Sequence, residues 1–285
     1  TMHNETNETD STKLHRSETA LDWFRRAQIS SRGEDANDST VAAWSFARGN
    51  TGISFVDEAI KISQHPTKNS ISESQAAFLE ITGNRASRSL VLTSLAARFV
   101  VTTRSSKFRS APSQSGVESP PQVILIDSLH SFSIPRLVSM VRSKLLLEMP
   151  HVQSEAVIDQ EVEECLKRVH FVFLTDFTTT IASLEALRIK LRRMDLTANI
   201  VLWDGFLSVF ADKTSKIEVI RQLVRLWHGT TTLIIVASHQ KTLMLDKYAT
   251  CQISFWRKDS ESLLYLANVS GKEFAVQVGK AGILS

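Results

Sequence analysis

The chain contains few of the residues that build disulfide or metal-bound frameworks. Its 285 residues include only two cysteines, Cys165 and Cys251, which are too few for a disulfide framework and lack the spacing of a zinc site. The eight histidines are scattered without metal-ligand spacing. These absences exclude disulfide-rich and zinc-finger classes, and they indicate a reducing compartment inside the cell.

Long apolar segments and a strong excess of one charge are also missing. No apolar run approaches the length of a membrane span, and the opening TMHNETNETDSTKLHR lacks the apolar region of a secretory signal. The 33 Lys and Arg residues nearly balance the 30 Asp and Glu residues. We therefore expect no membrane contact, and we expect any nucleic acid contact to come from local basic patches.

The chain does contain a regular alternation of two hydrophobic patterns. Short apolar runs typical of buried parallel strands occupy 77–82, 123–126, 169–174, 200–203 and 233–237. Helical spacing appears at 89–102, 135–149, 155–167, 181–194 and 217–227. After Cys251 the chain reads as antiparallel strands around a turn at 270–272. These patterns predict an α/β fold with a mostly parallel central sheet, helices on both faces and antiparallel C-terminal edge strands.

Composition divides the chain into three parts. Residues 1–13 are polar without apolar periodicity and predict a disordered tail. Residues 14–70 combine one short amphipathic helix, beginning at a capping box at Ser17, with a linker. Residues 71–285 form the predicted core domain, from which the Ser/Pro-rich stretch 103–122 loops out.

The stretch FLEITGNRASRSLVLTSLAARFVV, residues 78–101, has the outline of a phosphate-binding loop. A strand leads to Gly83, and an amphipathic helix follows. In the pattern Gly, four residues, Gly-Lys-Ser/Thr, the second glycine falls on Arg88, the lysine on Ser89 and the magnesium-binding hydroxyl on Leu90. Three of the four chemical positions are therefore lost. The remaining outline fits either a retained nucleotide-binding shape or an ordinary strand-glycine-helix connection.

Two predicted strands end in aspartate. VILID ends at Asp127 and IVLWD at Asp204. An aspartate after an apolar strand helps to hold magnesium in P-loop NTPases. Aspartate also ends strands by capping turns, so neither residue alone decides between the two roles.

Taken in order, these segments resemble a known family. VILIDSLHSFSIPRLVSMVRSKL, NIVLWDGFLSVF and TTLIIVASHQKT are similar to consecutive strand signatures of the eukaryotic RecA-like recombinases. The opening HRSETALDWFRRA and the closing QISFWRKDSESLLYLANVSGKEFAVQVGKAGI look most like the X-ray repair cross-complementing type-2 branch of recombinase paralogs. The resemblance covers roughly residues 14–285. In the second-strand signature it is carried by Asp127, Phe132, Arg136, Leu137 and Val138.

The resemblance implies a RecA-like P-loop NTPase fold with a degenerate Walker A loop. The family's catalytic members place a water-positioning glutamate where this chain has Leu129, which leaves Asp204 as the one match among the nucleotide-handling positions. Because phosphoryl transfer depends on such groups, we expect no catalytic residue, no bound cofactor and no ATP binding. Arg88 would either block the pocket, pair with a nearby carboxylate or stand in for the lysine.

Partner contacts are predicted from a family motif. The tetrapeptide Phe-x-x-Ala, by which RecA-like recombinases dock onto a neighbour, occurs at 24–27 and 108–111. We favour the first copy, with Trp23, Phe24 and Ala27, because its segment has no core of its own. The alternative is that this solitary amphipathic helix packs on its own domain.

Candidate DNA contacts lie in two basic segments. The loop after the first core helix carries Arg104, Lys107 and Arg109, and the segment after Asp204 carries Lys213 and Lys216. A flexible basic loop can follow the phosphates of a single strand. A third cluster, on the helix ALRIKLRRMD, reads instead as a solvated face. Since the second segment is short, we expect weak DNA binding by the chain alone.

The resemblance implies a non-catalytic subunit in the nucleus. Such a subunit would join another RecA-like paralog and help a recombinase filament assemble on single-stranded DNA during homologous recombination, contacting that DNA through the complex. Two alternatives stay open: a weakly active ATPase with a divergent loop, and a pseudo-NTPase scaffold outside recombination.

Overall fold

A nine-stranded sheet organises the part of the chain that the computed structural model describes. That part comprises residues 50–64, 77–104, 121–152, 154–193, 199–228, 230, 232–246, 251–258 and 264–284. The strand order is β3-β2-β4-β5-β1-β6-β7-β8-β9. The neighbours from β3 to β6 are parallel, and those from β6 to β9 are antiparallel. The predicted α/β class, with its mostly parallel sheet and antiparallel C-terminal strands, is confirmed.

The strands follow the apolar runs closely. They are β1 Phe78–Thr82, β2 Val123–Asp127, β3 Val169–Phe173, β4 Ile200–Asp204, β5 Leu233–Ser238, β6 Cys251–Arg257, β7 Leu264–Val269, β8 Lys272–Gly279 and β9 Gly282–Leu284. The continuous apolar runs of β2, β4 and β5 are buried along their whole length, as expected for strands covered on both faces. The short β9 was not predicted.

The helices cover both faces of this sheet. They are α1 Ser54–Gln64, α2 Arg85–Thr102, α3 Ile134–Glu148, α4 Glu155–Leu166, α5 Phe177–Arg193 and α6 Lys213–His228. The first four pack into one hydrophobic core, and α5 and α6 pack into the other. None of these described helices combines the length and apolar character that a bilayer crossing requires.

Three helices begin about four residues before their predicted starts. Upstream polar side chains cap them: the backbone amides of Ser87, Thr179 and Ser215 donate to the carbonyl or carboxylate oxygens of Asn84, Asp176 and Asp212. Such a cap satisfies an amide that would otherwise lack an intrahelical partner. Apolar spacing finds only the packed part of a helix, so it missed these first turns.

The helix α1 lies in the segment that the sequence suggested as a linker. Ile53, Phe55, Val56 and Ile60 on and before it are fully buried in the first core. The ring of Phe55 stacks on Phe255 of β6, with 5.4 Å between ring centroids. The packed body therefore already includes α1, ahead of the predicted core boundary at residue 71. The helix predicted over 14–29 and the tail 1–13 lie outside the described residues.

Shortening Phe55 to alanine tests whether α1 is an integral part of the core. Because the ring is fully buried against Phe255, Phe55→Ala should lower the free energy of unfolding by about 3–5 kcal/mol. Leu147→Ala is the control, since Leu147 is 70% exposed, and should change it by less than about 0.5 kcal/mol. Urea unfolding followed by circular dichroism measures both. Equal, small changes would mean that α1 is dispensable.

Candidate functional site

The candidate site lies where β1 passes into α2, at the carboxyl edge of the parallel strands. This edge is where open α/β sheets usually bind ligands. The connection consists of Gly83 and Asn84, and Asn84 caps α2 by accepting from the amide of Ser87 at 2.8 Å. The strand, turn and helix expected from the sequence are therefore all present.

Gly83 is required here by packing. A Cβ atom at this position would lie 2.2 Å from the carbonyl oxygen of Phe255 on β6, which is far inside van der Waals contact. The amide of Gly83 also donates to the carbonyl of Ser238 on β5, at 3.3 Å. The first glycine of the loop thus has a structural function that is independent of any phosphate.

Arg88 occupies the inside of the turn. Its side chain is 2% exposed, and its Nε donates to Oδ1 of Asp204, itself 0% exposed, at 2.8 Å. Nη1 of Arg88 donates to the carbonyl oxygen of Gly83 at 2.7 Å. One guanidinium therefore ties the β1 turn to the end of β4, across the end of the intervening β5. Arg88 therefore pairs with a nearby carboxylate and also fills the turn, so two of the three outcomes considered for it occur together.

The remaining bonding capacity of Asp204 is also used. Its Oδ2 accepts a short hydrogen bond from the hydroxyl of Ser131, and its Oδ1 accepts from the amide of Gly205 at 2.9 Å. With Arg88, three donors thus surround this buried carboxylate. A buried charge is tolerated when it is paired and hydrogen-bonded in this way.

Asp127 caps the turn that follows β2, which is one of the two roles that the sequence left open. Its carboxylate accepts from the amides of Leu129 and Phe132 at 3.0 and 2.9 Å, and from the Ser131 hydroxyl at 3.3 Å. These donors all belong to the loop that follows β2, and none belongs to the degenerate phosphate loop. Asp127 therefore shapes its own turn, as a strand-ending aspartate commonly does.

The two residues after Arg88 also have structural functions. The Ser89 hydroxyl donates to the carbonyl of Ser131 at 3.1 Å, and Leu90 is buried in the first core. Neither can replace the lysine or the magnesium-binding hydroxyl of a functional loop. A phosphate entering this turn would have to displace the Arg88 guanidinium and leave Asp204 without its cation.

A metal site is not evident in this region. Among the described residues, no group of three or more His, Cys, Asp or Glu side chains could hold a metal ion. Asp204 and Asp127 lie at paired positions of β4 and β2, but their oxygens accept the hydrogen bonds described above. Both carboxylates therefore accept hydrogen bonds from the protein and hold the donor groups in place.

Three residues of this region were missed by sequence reasoning. Ser131 bridges Asp204 and Asp127, and Arg85 donates to the carbonyls of Leu129 and His130 at 2.6 and 2.8 Å. Glu80 is a charged residue in the middle of an apolar strand, and that contrast could have revealed it.

Glu80 joins β1 to the neighbouring loop and strand. Its carboxylate accepts from the Thr242 amide at 2.9 Å, the Ser238 hydroxyl at 3.1 Å and the Gln252 side chain at 3.0 Å. Burial raises the pKa of Glu80, while the bonds from Thr242 and Ser238 lower it. The group therefore fixes the carboxyl edge beside the turn.

The predicted DNA contacts do not form one surface. Arg104 follows α2 at the amino edge of the sheet, and its guanidinium pairs with Glu148 at 2.6 Å. Lys213 and Lys216 begin α6 at the carboxyl edge, on the opposite side of the sheet. Lys107 and Arg109 lie outside the described residues, as do Trp23, Phe24 and Ala27 of the predicted partner motif.

The basic cluster on α5 is only partly a solvated face. Arg188 is half-buried and pairs with Glu185 one turn earlier, while Arg192 is exposed. Lys190 is buried, and this burial lowers its pKa to about 8. The prediction of a wholly solvated face is therefore wrong for Lys190, whose side chain is buried up to and including Nζ.

The fold and site together define an α/β protein in which the Arg88 side chain fills the turn after β1. No protein-family model and no curated protein matches the chain. The chemistry of the site is therefore judged from the residues that form it.

Removing either member of the Arg88 and Asp204 pair should be strongly destabilising. Arg88→Ala leaves a buried carboxylate and Asp204→Ala a buried guanidinium, so each should cost about 3–5 kcal/mol in the free energy of unfolding. The double variant should cost less than the sum of the two, by about 0.5–3 kcal/mol. Chemical denaturation of all four proteins measures this coupling.

The control is Arg104→Ala, which breaks the more exposed pair with Glu148 and should cost no more than about 1 kcal/mol. Strict additivity of Arg88→Ala and Asp204→Ala would contradict a direct ion pair.

Proposed function

We propose that this protein is a non-catalytic RecA-like recombinase paralog. In this proposal it acts in the nucleus as a subunit of a heteromeric complex that assembles or remodels a recombinase filament on single-stranded DNA during homologous recombination. It performs no ATP hydrolysis and carries no nucleotide. Its contribution is to present surfaces to another RecA-like paralog and to the filament.

The non-catalytic part of the proposal is supported by one observation: the Arg88 side chain fills the turn after β1. A phosphate group needs backbone amides and a lysine there, whereas this chain has a buried guanidinium bonded to Asp204 and to the Gly83 carbonyl. Internal pairing supplies Asp204 with the positive charge that bound magnesium supplies in an NTPase. This arrangement favours a fold kept for its shape.

The recombination part depends on the ordered sequence resemblance. The segments that carry it form consecutive elements of one sheet: VILID is β2, IVLWD is β4 and LIIVAS is β5. The closing segments form the antiparallel strands β6 to β9. This order is compatible with a RecA-like arrangement. The recombination role follows from it by analogy.

ATP binding by the native chain and by a restored loop tests the non-catalytic part. The native protein should show no binding of ATP with magnesium at micromolar concentrations in isothermal calorimetry. The combined variant Arg88→Gly, Ser89→Lys and Leu90→Thr returns all three loop positions to the phosphate-binding pattern. We expect it to bind ATP detectably if it remains folded, as judged by circular dichroism.

A variant carrying Ser89→Lys alone is the matched control, because Arg88 still fills the turn, and it should not bind. ATP turnover by the native protein that disappears in Asp204→Ala would refute the proposal and establish the divergent ATPase instead.

Affinity purification tests the assembly part. The tagged chain, isolated from its native cells in moderate salt, should carry a second RecA-like chain in near-equal amount, identified by mass spectrometry. Recovery of the chain alone, or only with proteins foreign to DNA repair, would favour the pseudo-NTPase scaffold outside recombination.

A further inference from the structure

The carboxyl edge of the sheet carries an unusual share of exposed apolar groups. Eight large hydrophobic side chains are exposed among the described residues, and five lie at or next to this edge. They are Ile134, Phe173, Phe177, Ile217 and Leu243. Monomers expose single hydrophobic residues freely, whereas contiguous apolar patches mark interaction surfaces.

Two aromatic rings on this edge form a flat, exposed stack. His130 follows β2 and Phe173 ends β3, and their ring centroids lie 5.3 Å apart with 19° between the planes. Phe173 is 52% exposed and His130 is also exposed. Both rings therefore keep solvent-accessible surface. Exposed aromatic faces of this kind bind the bases of single-stranded nucleic acids without regard to sequence.

A guanidinium adjoins this stack. Arg85, at the start of α2, donates to the carbonyls of Leu129 and His130, so its planar group is held beside the histidine backbone. His130 has a φ of 50°, a left-handed conformation that histidine adopts more readily than most residues. The rings and the cation are therefore positioned before any ligand arrives.

Four cations of this edge have no acidic partner within the described chain, whereas Lys241 pairs with Asp246 at 3.0 Å. Arg85, Arg136, Lys213 and Lys216 have no described carboxylate at ion-pairing distance. Elsewhere in the described chain, several cations pair with acids. These pairs are Arg104 with Glu148, Arg142 with Asp159, Lys167 with Glu164, Arg188 with Glu185 and Arg221 with Glu218.

Most carboxylates of this edge accept hydrogen bonds from groups of the protein itself. Asp127 and Asp204 are buried and bonded to protein donors, while Asp212 caps α6. Asp176 is the acid nearest in sequence to Phe173, and it caps α5 through the amide and hydroxyl of Thr179. The bonds from Thr179 lower the pKa of Asp176, so it stays negative and opposes an anionic ligand.

We propose that the stack of His130 and Phe173, together with Arg85 and Arg136, is a binding site for single-stranded nucleic acid. One base stacks on the exposed surface of the ring pair, and the flanking phosphates contact the two guanidinium groups.

This site adds a binding surface to the proposed function. The proposal rests on that function for the nucleic acid that the site meets in the cell. It differs from the earlier predictions, since it lies at the ends of β2 and β3 and does not use Arg104. A protein partner with an acidic, apolar surface is the competing occupant. The planar stack beside a fixed guanidinium favours a base over that partner.

Fluorescence anisotropy with a labelled oligothymidylate tests the site. The full chain is used with whatever chains co-purify with it, and an abasic oligonucleotide of equal length measures the phosphate contribution alone. Phe173→Ala should weaken oligothymidylate binding about fivefold or more, because one base loses its stacking partner. It should leave abasic binding unchanged.

Charge variants of the same site give a second readout. Arg136→Ala should weaken binding to both oligonucleotides and reduce the salt dependence by about one phosphate contact. Asp176→Asn should strengthen both, since asparagine keeps the helix cap and removes the negative charge. The controls are Leu147→Ala and Arg142→Ala, which alter an exposed leucine and an already paired arginine away from this edge.

Three results would overturn the site: no binding of oligothymidylate by the wild-type preparation, equal loss of both ligands in Phe173→Ala, or no loss at all. If Phe173→Ala releases a co-purifying chain and leaves oligothymidylate binding intact, the edge binds protein and the nucleic acid site is wrong. The proposed function is judged separately, by whether a RecA-like chain co-purifies with the wild-type protein.

Discussion

The buried ion pair between Arg88 and Asp204 is the constraint that organises the functional edge of this molecule. It connects the turn after β1 with the end of β4, and Ser131 adds the loop after β2 to the same carboxylate. The Asp204 carboxylate and its donors thereby fix three segments that could otherwise move independently around a ligand. The carboxylate of Asp204 is thus paired and hydrogen-bonded by the protein's own groups.

The sequence predicted much of this fold because buried parallel strands have a strong signature. The runs VILID, IVLWD and LIIVAS are almost wholly apolar, and their strands were placed to within a residue or two. The element α1 was missed because its apolar residues follow a linker-like stretch with few other signals. Capped first turns were missed for a related reason, since Asn84, Asp176 and Asp212 are polar and carry no helical periodicity.

The site was predictable in outline and less so in its contacts. The departure from the phosphate-loop pattern could be read directly at positions 88 to 90. The partner of Arg88 could not, because Asp204 is distant in sequence and only the sheet order brings the two together. Contacts that join separate loops, such as those of Ser131 and Glu80, depend on tertiary packing. The basic residues were found by composition, whereas their division between two opposite edges required the topology.

The position of α1 has a consequence for how the chain is made. Its buried face packs against β6 and β7, which lie roughly two hundred residues further along the chain. During synthesis at about 5–20 residues per second, that face waits on the order of ten to forty seconds for its partner strands. The apolar residues around Phe55 are open to chaperones or to misassembly for that interval. The docking of the first described helix therefore requires that nearly the last strands have already been made.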